Sequence, residues 1–152
     1  MTYNKLGYAL NGLRTKSFAI IEKAYKKNGE AIFFAEIGFG LDIDNHVVTC
    51  NTRFSFEKKK DQPFLILEVQ AIFEIKESDF LSKMKQDDGT YLVTKVLAIN
   101  FAILTISSAR GILHSRTEGT VFNEFLLPPM DIDGLIEEDV IFAEDPRIRQ
   151  ES

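Results

Sequence analysis

The chain has no tryptophan, one cysteine and four prolines among its 152 residues. A lone thiol excludes an internal disulfide, so packing alone must hold the fold. The N-terminal MTYNKLGYAL lacks the basic-then-apolar run of a secretory signal, and the cytoplasm is the expected location. Histidine is scarce: His46 and His114 are the whole supply, and both are expected to be structural. Asp42 and Asp44 in LDIDN have neither the spacing nor the glycine of a calcium loop. A phosphate-cradling glycine loop and a nucleophile elbow are both missing. No catalytic residue, metal site or cofactor is therefore expected. A net charge of -5 and a pI near 5.1 argue against a nucleic-acid partner, since binding phosphates needs concentrated Lys and Arg.

What is present is apolar surface. Hydrophobic residues make up 45% of the chain, enough for the core of one domain, and 13 of them are Phe. Residues 91–115, YLVTKVLAINFAILTISSARGILHS, carry apolar side chains on a helical period. Leu92, Val96, Ile99, Ile103, Ile106 and Leu113 predict one buried stripe, with Arg110 in the missing turn. Leu97, Phe101 and Leu104 flank it, beside a line of small residues that includes Ala98 and Ala102. A helix apolar on several sides predicts cover from its own sheet and from a second copy, with Leu97, Ala98, Phe101, Ala102 and Leu104 at the interface. The uncharged run of residues 96–109 is shorter than the roughly 20 needed to span a bilayer, so a membrane-integral chain is not expected.

Four strands are predicted before that helix. Residues 13–25 alternate imperfectly and suit an edge. Residues 31–43 place Ala31, Phe33, Ala35, Ile37, Phe39, Leu41 and Ile43 on one face, with Gly38 and Gly40 on the other. Residues 46–57 and 64–75 alternate plainly and predict a hairpin. A short helix at residues 79–85, capped by Ser78, should follow. After the long helix, residues 122–127 read as extended up to Pro128 and Pro129, and Asp131 can cap a last short helix carrying Ile132, Leu135 and Ile136. The expectation is an α+β fold, a four-stranded antiparallel sheet with the long helix and a short C-terminal helix on one face. Residues 1–12 would be an arm or the start of a strand, residues 13–136 the domain, and residues 137–152 an acidic, then mixed, fraying tail. The surplus of large apolar residues is read first as a core plus an oligomer interface, and only second as an exposed groove for other chains.

Several strings in this order resemble SecB, the tetrameric export chaperone family: TKSFAIIEKA, GLDIDN, PFLILEVQAIFEI, INFAILTISSARGILHSRTEGT and LLPPMDIDGLI. The resemblance spans residues 13–136. It implies a SecB-like fold in a homo-oligomer, a dimer of dimers. It also implies an ATP-independent chaperone that keeps unfolded preproteins competent for translocation. By position, unfolded peptide would bind at Phe33, Phe34, Phe39, Leu41, Ile43, Ile132, Leu135 and Ile136, and the SecA translocase motor at an acidic sheet edge corresponding to Ile66 and Glu68. Relatives of this kind also include chaperones dedicated to one client, such as an antitoxin. A hotdog-like oligomeric enzyme and a plain scaffold are the rival classes.

Overall fold

A computed structural model describes residues 6–143 of the chain. Strands β1 (Tyr8–Ile20), β2 (Ile32–Asp42), β3 (Val47–Lys59) and β4 (Gln62–Ile75) form one antiparallel sheet in the order β1-β4-β3-β2. The α+β architecture expected from the sequence is the one observed. β1 and β2 are the two edges. The imperfect alternation of β1 has a structural cause: register shifts at Leu10/Gly12 and Thr15/Ser17 each reset the phase. Leu10, Leu13, Thr15, Phe18 and Ile20 consequently all stand opposite inward residues of β4, namely Phe73, Ala71, Val69, Leu67 and Leu65.

The β2–β3 turn explains the paired aspartates. Asp42 accepts hydrogen bonds from the Asn45 backbone N–H (3.2 Å) and from Asn45 Nδ2 (2.8 Å), and the turn closes with His46 at φ 56°. Asp42 is a turn former. The glycines of β2 are also resolved: a Cβ on Gly40 would lie 2.6 Å from Thr49 Oγ1, so that side chain fills the space, whereas Gly38 faces open solvent.

The long helix α2 (Lys95–Thr117) starts four residues later than its apolar pattern suggested, with Thr94 Oγ1 accepting the Leu97 N–H at 3.3 Å as the cap. Tyr91–Val93 instead forms β5, antiparallel to β6 (Val140–Phe142), so part of the expected tail is fastened. Asp139 Oδ1 also accepts the Lys95 N–H at 2.7 Å. At the other end of the chain β1 begins at Tyr8, inside the expected arm, and the Gly7 N–H donates to Asp79 Oδ2 at 2.7 Å. Residues 1–5 of the expected arm and 144–152 of the expected tail lie outside the described residues.

α2 packs on the sheet through a stripe that keeps Ile106 and Leu113 of the one expected but not Val96 or Ile103. Ala98, Phe101, Ala102, Thr105, Ile106, Ala109, Leu113 and Thr117 are buried, while Val96 is 70% exposed and Ile103 44%. Small residues let the helix backbone approach the sheet, and Val96 and Ile103 are displaced to its flanks. The two buried hydroxyls are satisfied within the helix: Thr105 Oγ1 donates to Phe101 O (2.7 Å) and Thr117 Oγ1 to Leu113 O (2.8 Å). By length and composition α2 could cross a membrane; here its small-residue face is buried in the fold.

Three local expectations are corrected. The first short helix is α1 (Glu77–Asp79), continued by a π turn over Phe80–Met84; Ser78 does not cap it, and its carbonyl accepts from Ser82 Oγ instead. Val121–Glu124 is a 3-10 turn, because Thr120 Oγ1 accepts the Phe122 N–H (3.2 Å) and the turn folds Phe122 and Phe125 onto Phe64. The last helix α3 (Ile132–Leu135) is a single turn without a side-chain cap from Asp131.

Candidate functional site

The apolar residues that α2 leaves uncovered lie on its two flanks, and each flank borders a crevice. On one side Ile103, Ile106 and Arg110 of α2 face Leu127, Pro129, Met130 and Ile132 across a depression of about 350 Å³. Arg110 sets this spacing: its Nε donates to Leu127 O (3.0 Å) and its Nη2 to Pro128 O (3.1 Å). The arginine that broke the helical stripe is therefore a clamp that holds the proline connection against the helix. On the other side α2 and β1 bound two depressions. Leu6, Tyr8, Leu92, Val96 and Leu97, with Lys83, Thr94 and Asn100, line one of about 530 Å³; Leu13, Thr15, Ser108, Gly111, Ile112, Ser115 and Arg116 line one of about 450 Å³. This β1–α2 crevice was not read from the sequence, because the register shifts that turn Leu10 and Leu13 inward have no signature beyond broken alternation.

The expected peptide-binding residues are only partly brought together. Phe33, Phe39 and Leu41 share the inner face of β2 and are half-buried against the core, as are Ile43, in the turn just after the strand, and Ile132. Phe33 stacks on Phe54 (6.1 Å, 10°) and tilts onto Phe56 (5.1 Å). Phe34 is corrected: successive strand residues point to opposite faces, so it stands on the outer face, 48% exposed, and cannot share a groove with Phe33. Ile136 is corrected as well, since it is buried in the core, whereas Leu135 is 46% exposed.

The expected oligomer interface divides in the same way. Ala98, Phe101 and Ala102 are wholly buried beneath the chain's own sheet and have no surface left for a second copy. Leu97 and Leu104 keep exposed surface on the α2 flank. Ile66 and Glu68 lie on β4, between β1 and β3, and so not at a sheet edge. Glu68 Oε1 accepts a hydrogen bond from Arg53 Nη1 at 2.6 Å. That pair occupies the outer face, beside Glu36 and Lys16 in a shallow depression.

The polar chemistry is sparse. Burial pushes the Cys50 thiol up from 9.0 to about 11, against a smaller opposing hydrogen bond from Thr105, which leaves it protonated and inert at neutral pH. His46 packs its ring on Phe80 at 4.8 Å, and Asn123 Nδ2 approaches His114 Nδ1 at 3.4 Å. Among the described residues no three of His, Cys, Asp and Glu gather as a metal site would require.

No family model and no curated protein matches this chain. Among solved structures it is similar to a SecB-like chaperone of Mycobacterium tuberculosis in complex with a peptide from an antitoxin, at 14% identity, with 82% of this chain and 90% of that one covered and a TM-score of 0.49.

Proposed function

We propose that this chain is an ATP-independent chaperone that holds unfolded polypeptide in extended form, assembled from several copies. The observation that carries the reading is the uncovered apolar surface on both flanks of α2 and on the inner face of the edge strand β2. Extended apolar grooves suit unfolded chains because each residue binds weakly and affinity accumulates along the length. The motifs of the SecB family, in order along the sequence, support the same reading.

The two flanks take different roles. The β1–α2 crevice, with exposed Leu10, Leu13 and Leu104 and half-buried Leu97 beside the outer edge of β1, is the surface for a second copy. The α2–α3 crevice and the inner face of β2, with Phe33, Phe39, Leu41, Ile43, Ile132 and Leu135, take the client. A motor protein seeking a free carboxylate at Glu68 would have to break the Arg53 pair. An exposed pair of this kind is weak, so the reading is a chaperone of unfolded chains, whether these are exported preproteins or one dedicated client such as an antitoxin.

The test is suppression of aggregation of an unrelated unfolded protein without nucleotide, with the mass of the oligomer measured on the same sample. Phe39→Asp or Leu135→Asp should weaken suppression while the oligomer persists, and Leu13→Asp should lower the mass. A stable oligomer that neither suppresses aggregation nor binds an antitoxin peptide overturns the proposal.

A further inference from the structure

The sheet topology gathers at one end the turn after β1 and the β3–β4 hairpin turn, and both are rich in lysine. Lys23, Lys26 and Lys27 come from the first, Lys58, Lys59 and Lys60 from the second, and all but Lys58 are exposed. The two segments touch, since Lys58 Nζ donates to Gly29 O. These are six of the 18 basic residues of a chain with net charge -5, and the same stretches hold four acids, Glu22, Glu30, Glu57 and Asp61, of which Glu57 is buried. Beneath the lysines lies an aromatic cluster. Lys58 Nζ stands 5.9 Å from the Tyr25 ring centroid and 5.8 Å from that of Phe125. Phe125 meets Phe56 at 5.7 Å, and Phe56, itself buried, meets Phe33 at 5.1 Å, so the half-buried rings at the lysine end connect through Phe56 to Phe33 on the inner face of β2.

We infer that this lysine-rimmed aromatic end selects its occupant, and that the segment it fits is an extended peptide whose aromatic residues are flanked by Asp or Glu. The inference rests on the chaperone reading and adds to it which clients are preferred. The half-buried rings of Tyr25, Phe33 and Phe125 keep surface for contact with an aromatic side chain, beside the Lys58 ammonium that lies over Tyr25 and Phe125. Carboxylates on either side of that side chain would come within reach of Lys26, Lys27, Lys59 and Lys60. The negative charge of the whole molecule does not cancel this preference, because at physiological ionic strength fields are screened over about 8 Å and the local lysines dominate. Charge complementarity of this kind governs choice of partner more than total affinity.

Three labelled peptides of equal length, with the same aromatic and aliphatic residues but flanked by Asp and Glu, by Lys and Arg, or by Ser and Asn, test the inference by fluorescence anisotropy on the full chain. The acid-flanked peptide should bind about tenfold more tightly than the base-flanked one at low ionic strength, and the gap should close to about twofold in 0.5 M salt. The variant Lys26→Glu/Lys27→Glu/Lys59→Glu/Lys60→Glu changes only exposed turn residues; with an unchanged melting temperature and oligomer mass, it should lose or reverse the preference. Equal binding of all three peptides, or preference for the base-flanked one, overturns the inference and leaves the chaperone reading standing. Failure of all three to bind overturns both.

Discussion

Phe101 of α2 stacks on Phe73 of β4 with ring centroids 4.1 Å apart and planes 19° from parallel, and Tyr8 of β1 closes the group edge-on at 5.0 Å from Phe101. This is where the helix is fixed on the sheet, since the buried helix positions around it are the small residues Ala98, Ala102 and Thr105. Phe101→Ala should destabilise the fold by about 3–5 kcal/mol, the range for removing a buried aromatic ring. Urea denaturation checks it; a loss under about 1 kcal/mol would mean that the helix is seated elsewhere.

Cys50 gives the fold a dependence on alkaline pH. The folded chain holds its thiol neutral up to about 11, whereas the unfolded chain deprotonates near 9.0. Its contribution is complete below pH 9.0 and is lost as pH rises toward about 11, in all by about 3 kcal/mol at 1.36 kcal/mol per unit. The comparison that isolates the thiol is with Cys50→Ala. The wild type should lose stability more steeply than the variant over that interval, and parallel curves would refute the account.

Asp139 joins the C-terminal segment to the start of α2 by accepting the Lys95 N–H. Asp139→Ala should cost about 1 kcal/mol, as the loss of a helix cap does. It should also speed amide exchange at Lys95 and across the β5–β6 pair, measured by hydrogen–deuterium exchange. Unchanged exchange would leave Thr94 as the sole effective cap.

Arg53 and Glu68 are both partly exposed, so their ion pair should contribute little to stability. Arg53→Ala is expected to change unfolding free energy by no more than about 1 kcal/mol, by urea titration. Its larger effect should be on the outer face, where the Glu68 carboxylate is released. If Arg53 is what blocks motor binding, the variant should bind SecA more tightly than the wild type in a direct binding assay; equal affinity would remove that role.

Much of the fold was legible because it is written in local periods. The alternation in residues 46–57 and 64–75 fixed a hairpin with Val48, Cys50 and Phe54 inward, since a pleated strand offers only two faces. The reading of β2 held for the same reason: alternation puts Phe33 and Phe34 on opposite faces, and only the family resemblance placed both in one groove. The functional surface was less legible. Val96 and Ile103 look like core residues on a helical wheel and Ala98 and Ala102 like a docking stripe, yet the burial is the reverse, because hydrophobicity alone does not say which side of an all-apolar helix will meet the sheet.

The sequence by itself determined the four strands and the long helix, features carried by neighbouring residues and their spacing. The tertiary structure alone decided that Arg110 clamps the Leu127 and Pro128 carbonyls, that Asp139 reaches Lys95 and that the lysines of two distant turns share one end. Each of these depends on residues brought together by sheet order and register, and those follow from the packing of the whole core rather than from any local period.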